Sequence, residues 1–211
     1  MAKTEPEDVV RRLLDEAGTT YADEAGIRLD DKPMPLFQLL VLCMLASKPI
    51  DAGIAVRAAR ELFSEKLRTP DAVLAAERRQ MIDAFGRASY ARYDESSATR
   101  LTEMAQTVRD TYDGDLRRLG ESHDVAAVKR HLKEFKGIGD TGADIFLREI
   151  QDTWTWVRPY FDERARTTAE ALGLPGDPEH LQRLAGSRTA ELAAALVRAA
   201  LDDDLLQRVR G

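Results

Sequence analysis

Apolar residues recur at three- and four-residue spacing along most of the chain, and no run of alternating β-branched residues bounded by turn signals occurs, so the pattern predicts helices and no sheet. Val9, Val10, Leu13 and Leu14 form one stripe of an amphipathic helix over residues 7–17, with acidic residues in its first turn. Residues 26–35, with Gly26 and two prolines, read as a connecting loop. Residues 36–47 are apolar on nearly every side, which predicts a buried central helix ended by Pro49. Asp51 is a cap for the next helix, with Ile54, Ala58, Leu62 and Phe63 on its inner stripe, and Thr69-Pro70 opens another. A polar, aromatic loop over residues 87–97 precedes a helix over residues 98–112, and Asp113-Gly114-Asp115 is a turn. Ser122 caps a helix reaching Phe135. Asp140, Asp162, Asp177-Pro178 and Ser187 mark further starts, and Gly173 marks an end.

Composition narrows the class of protein. The chain has 211 residues, enough for one large or two small domains with a real core. With 44% hydrophobic and 32% charged residues and a mean hydropathy of -0.39, it belongs to neither the disordered nor the membrane class. The apolar run at residues 36–46 is about half of the roughly 20 residues a bilayer span needs, and residues 1–8 lack the pattern of a signal peptide. The expected location is the cytoplasm, beside the nucleoid, with no membrane partner. A net charge of -6 argues against a simple polycation that coats nucleic acid. The single cysteine, Cys43, lies in the apolar run and reads as core; one cysteine supports neither an internal disulfide nor a cysteine-ligated cluster. His123, His131 and His180 lack metal-ligand spacing and read as surface residues, so no metal and no cofactor is expected.

The most informative segment is Lys136-Gly137-Ile138-Gly139-Asp140-Thr141, which joins two helical stretches. Two glycines around one apolar residue allow a sharp turn and the close approach of another molecule, while Ile138 fills the joint. Amides at such a turn, backed by the positive end of the following helix, suit a phosphate oxygen. With Leu132, Phe135, Ile138, Ile145, Phe146 and the small Ala143 at the crossing, the segment resembles a helix-hairpin-helix motif. Downstream stand Pro159-Tyr160-Phe161-Asp162-Glu163-Arg164-Ala165 and Ala171-Leu172-Gly173-Leu174. This order of elements, over residues 36–174, resembles the endonuclease III-like helix-hairpin-helix DNA glycosylases. The resemblance implies an all-α, two-domain architecture with a cleft between the domains. Residues 36–147 would form a six-helix domain ending in the hairpin, and residues 1–35 with 148–211 a second helical domain. It further implies a monomer whose partner is double-stranded DNA carrying a damaged or modified base, which is flipped out before its N-glycosidic bond is hydrolysed.

The resemblance assigns Asp162 as the catalytic carboxylate, which would stabilise positive charge on deoxyribose and orient the attacking water; as an aspartate at a helix start it is equally an ordinary N-cap. Lys136, Gly137, Ile138, Gly139 and Thr141 would contact DNA, and Lys48 would stand where family members fill the gap left by the flipped base. Lys129, Arg130 and Lys133 would give the hairpin a basic face, which Asp140 opposes. Tyr90 and Tyr93 would line a base pocket or pack in the core, beside Arg92. Bifunctional members carry a lysine where this chain has Thr141, and threonine forms no imine, so the resemblance implies a monofunctional enzyme. The family's four cluster cysteines are absent. Two alternatives stay open: a non-catalytic DNA-binding protein that kept the fold, and an abasic-site lyase or endonuclease using Lys48 or Lys136.

Overall fold

The computed structural model describes residues 5–210, and among them there is no β-strand. In chain order the helices are α1 (Pro6–Ala17), α2 (Tyr21–Glu24), α3 (Pro33–Ala46), α4 (Ala52–Ser64), α5 (Pro70–Ala75), α6 (Arg78–Arg87), α7 (Asp94–Tyr112) and α8 (Val125–Leu132). They continue with α9 (Asp140–Ile150), α10 (Glu163–Ala171), α11 (Pro178–Ala185), α12 (Thr189–Leu201) and α13 (Asp203–Arg210), and 3-10 turns lie at Ala91–Tyr93, Leu116–Gly120 and Thr155–Val157. The chain divides into two compact units. One is residues 22–146; the other joins the chain up to Tyr21 with the chain from Leu147 onward. Residues 22–35, expected in the second domain, therefore fall in the first unit, where Ala22, Ala25 and Ile27 are buried side chains rather than part of a plain connection.

The unit of residues 22–146 is built on α3. Every side chain from Pro35 to Leu45 is buried, Gln38 included, so this almost wholly apolar run has no polar face to present, and each buried leucine contributes roughly 1.5–3 kcal/mol. Pro33 stands in the first turn, where a missing N–H costs nothing, which is why the helix begins inside the expected loop. α3 packs on α4, α4 on α6, and α5 and α6 on α7. The Asp51 carboxylate accepts from the Ile54 amide at 3.2 Å and the Thr69 hydroxyl from the Ala72 amide at 3.2 Å, as their positions predict. α7 starts at Asp94, four residues earlier than expected, because the aromatic stretch closes in a 3-10 turn that leads straight into it. The cap of α8 is Asp124 and not Ser122: its carboxylate accepts from the amides of Ala126 at 2.9 Å and Ala127 at 3.2 Å, and the helix stops at Leu132.

In the other unit α12 packs against α1, α10, α11 and α13. Val9, Val10, Leu13, Phe161, Leu181, Leu192, Leu196 and Val209 share its core. Asp177 caps α11 by accepting from the His180 amide at 3.0 Å. α12 begins at Thr189 with no contribution from Ser187; its Ala190 amide donates instead to the Asp152 carboxylate at 3.3 Å, a cap supplied from 38 residues away.

Candidate functional site

The turn between α8 and α9 follows from its apolar residues and two unlike glycines. Leu132, Phe135, Ile138, Ala143 and Phe146 are buried, and the Ile138 amide donates to the Phe135 carbonyl at 3.0 Å, so Ile138 is pinned in the joint. Gly137 has φ +96°, and a Cβ on it would meet Arg100 Cδ at 3.0 Å and Met44 Cγ at 3.2 Å, so glycine is required there by the fold itself. Gly139 has no such reason: a Cβ on it would meet nothing within 4 Å. Its carbonyl accepts from the Ala143 amide at 3.0 Å, which makes it the residue that opens α9. The amides of Asp140, Thr141 and Gly142 then belong to a first helical turn, which has no acceptor within the helix and carries the positive end of the helix dipole. Ser47 and residues 137–141 line an open cavity of about 470 Å³ at this turn.

Gly142 carries a signal that the sequence reading did not use. A Cβ there would overlap Ser47 Oγ and lie 3.3 Å from Ile138 Cδ1, while Ser47 Oγ is itself held, donating to the Cys43 carbonyl at 2.6 Å. Gly142 thus lets α9 lie against the end of α3.

The lysines near the turn are already engaged. Lys136 pairs with Glu103 at 2.8 Å, Lys133 with Asp140 at 2.7 Å and Lys129 with Asp144 at 2.5 Å. The hydrogen bond from Lys133 holds the Asp140 carboxyl below its ordinary value. Asp140 therefore neutralises a neighbouring lysine, and the hairpin surface is closer to charge balance than the lysines alone suggest. Thr141 is exposed at the start of α9. Lys48 lies with its Nζ 5.9 Å from the centre of the Tyr93 ring, and the Arg92 guanidinium lies 5.5 Å from the same ring, both within cation–π range. Tyr90, offered as a pocket residue or a core residue, is completely buried. Its hydroxyl donates to the Leu45 carbonyl at 3.0 Å, its ring packs on Phe85, and burial pushes its hydroxyl up to about 12. Cys43 is buried, and among the described residues no group of three His, Cys, Asp or Glu side chains is placed to hold a metal.

Asp162 is the N-cap of α10, and its side chain is only 8% exposed. Oδ1 accepts from the Ala165 amide at 2.9 Å and Oδ2 from Arg148 Nη1 at 2.7 Å. Arg148, on the last turn of α9, is 2% exposed and was not singled out by the sequence. Its Nε lies 3.8 Å from Glu149 Oε1, and its guanidinium stands 5.7 Å from the Tyr21 ring centre. Burial works against its charge, but the Glu149 and Asp162 carboxylates outweigh that and hold it above its ordinary value. Gln151 fixes the segment before Asp162: its Oε1 accepts from the Tyr160 amide at 2.8 Å and its Nε2 donates to the Tyr160 carbonyl at 3.0 Å.

No protein-family model matches this chain, and no curated protein does. Among solved structures it is similar to endonuclease III trapped as a covalent intermediate with DNA, in an estranged-adenine complex. The TM-score is 0.54 and the identity 14%, over 92% of this chain and 82% of that one. The glycine turn opening α9 and the aspartate opening α10 are thus carried by a chain with the all-helical fold of endonuclease III.

Proposed function

We propose that this protein is a monofunctional DNA glycosylase, which flips a damaged or modified base from duplex DNA and hydrolyses its N-glycosidic bond. The observation that carries the reading is the buried Asp162 carboxylate at the start of α10, in a chain folded like endonuclease III. Phosphate would be gripped at the α9 turn, where the open side of Gly139 lets an oxygen approach and the first-turn amides supply donors. Lys48, Lys136 and Thr141 would add contacts to the same strand, and half-buried Tyr93 would offer a ring to a base. As the bond between C1′ and the base nitrogen breaks, the base leaves with the electron pair and positive charge develops on the sugar. Asp162 would stabilise that charge while water adds its oxygen to C1′ and releases a proton. Thr141 supports hydrolysis over imine chemistry, since a hydroxyl cannot form a Schiff base.

One observation favours a second reading, a DNA-binding protein without turnover. Arg148 already occupies Oδ2 of Asp162, and an adjacent positive charge weakens the field that the carboxylate offers to a cationic sugar. Asp162→Asn separates the two. An enzyme loses excision on lesion-bearing duplexes while keeping its affinity for them; a pure binder shows no excision to lose.

A further inference from the structure

Arg148 is costly for a purely structural residue. Taking a guanidinium out of water costs several kcal/mol, and a buried pair is often replaceable by apolar side chains with no loss of stability. Arg148 recovers that cost through the charges of Glu149 and Asp162 rather than through a full set of hydrogen bonds: its Nε and Nη2 make no hydrogen bond among the described residues, and Nη1 makes one, to Asp162. What it does provide is orientation. With Oδ1 bound to the Ala165 amide and Oδ2 to Arg148, both torsions of the Asp162 side chain are set, and each oxygen keeps lone-pair capacity for one further partner. Three residues after Arg148, Gln151 locks the peptide of Tyr160 by both its amide and its carbonyl, two residues before Asp162. Beyond its own helical cap at Ala165, the aspartate is therefore held from one stretch of chain, the last turn of α9 and the residue that follows it.

We infer that Arg148 is the positioning residue of Asp162: it fixes which lone pairs the carboxylate turns toward the reacting sugar, and Gln151 fixes the backbone from which it does so. This rests on the glycosylase reading. Arg148 takes no part in bond breaking and acts only through Asp162.

The test compares wild-type protein, Arg148→Gln and Arg148→Lys. Single-turnover excision is measured at saturating enzyme on duplexes containing uracil, an alkylated purine, an oxidised pyrimidine or adenine opposite oxidised guanine. Affinity is measured on a duplex with a tetrahydrofuran abasic analogue. Arg148→Gln should lower the excision rate about 100-fold, the cost of a misplaced reacting group, with affinity within about threefold of wild type. Arg148→Lys keeps the charge but not the planar fork, and should retain a rate within about tenfold of wild type, yet measurably below it. A merely structural role would lower the melting temperature without separating rate from affinity. A wild-type rate in Arg148→Gln overturns the inference; if the glutamine variant does not fold, a wild-type rate in Arg148→Lys does so. Failure of wild-type protein to excise any of these bases overturns the glycosylase reading and this role with it, whereas excision by wild type at a rate equal to Arg148→Gln overturns this role only.

Discussion

Gly137 and Gly139 stand two residues apart, and replacing each by alanine should have opposite consequences. Gly137 has φ +96°, where an L residue loses roughly 1–2 kcal/mol, and its new methyl would press on Arg100 and Met44, adding about 1 kcal/mol of overpacking. Gly137→Ala should therefore lose about 2–3 kcal/mol, and at roughly 2–4 °C per kcal/mol for a chain of this size its melting temperature should fall by about 4–12 °C. At Gly139 the backbone is ordinary and the space is empty, so Gly139→Ala should cost nothing in stability and even gain up to about 1 kcal/mol through a less disordered unfolded chain. Its methyl, however, would occupy the approach to the first-turn amides of α9. Losing one hydrogen bond to a charged phosphate is worth about 1.5–3 kcal/mol, or about 10- to 100-fold in affinity. Calorimetric melting and fluorescence anisotropy on an abasic-analogue duplex, at fixed salt, read the two effects separately. The reasoning is refuted if Gly139→Ala binds within twofold of wild type, or if it melts as low as Gly137→Ala.

Two further outcomes follow from packing and burial. Gly142→Ala should lose about 1–3 kcal/mol by collision with Ser47, and Ser47→Ala in the same chain should restore most of it; denaturant midpoints of the single and double variants check this, and additive losses would sink the explanation. The Tyr90 hydroxyl is raised in the folded state from its ordinary value of 10 to about 12, so its contribution is fully present below pH 10 and is lost as pH rises from 10 toward 12; two units correspond to at most about 2.7 kcal/mol. Tyr90→Phe should cost about 1 kcal/mol at pH 7 through the lost bond to Leu45 and should flatten the fall of the urea midpoint between pH 9.5 and 11.5, whereas an unchanged alkaline fall would show that Tyr90 does not govern it.

What the sequence made legible was local. Asp51, Thr69, Asp162 and Asp177 each accept from an amide three residues on, a contact settled within one turn of chain and so visible as a residue type at a position. The apolar run of α3 announces its burial because no face of that helix is polar. Where two cap residues stood close together, as at Ser122 and Asp124, the carboxylate took the position, and the pattern alone did not rank them. The opening of α12 was misplaced for a different reason: Ala190 is satisfied by Asp152, and that partner is far away in sequence.

The candidate site divides in the same way. The glycine turn and Asp162 are recognisable as short patterns, but the pairing of Lys136 with Glu103 spans 33 residues and leaves no local mark. Arg148 reads on paper as a basic residue ending a helix. Its burial is decided by Asp162, 14 residues on, and by the Tyr21 ring, and neither is implied by the residues beside it. Tyr90 is ambiguous for a similar reason, since an aromatic residue in a polar stretch serves a pocket or a core equally well until its hydroxyl finds the Leu45 carbonyl.

In the proposed function Asp162 supports hydrolysis of a base from DNA without cutting of the strand. Incubating wild-type protein and Asp162→Asn with single-lesion duplexes, and resolving the strands with and without alkali, tests it most directly. Wild-type protein should yield a break at one lesion only after alkali, and Asp162→Asn should yield none while still binding the same duplex. A break without alkali, or equal excision by Asp162→Asn, would contradict it.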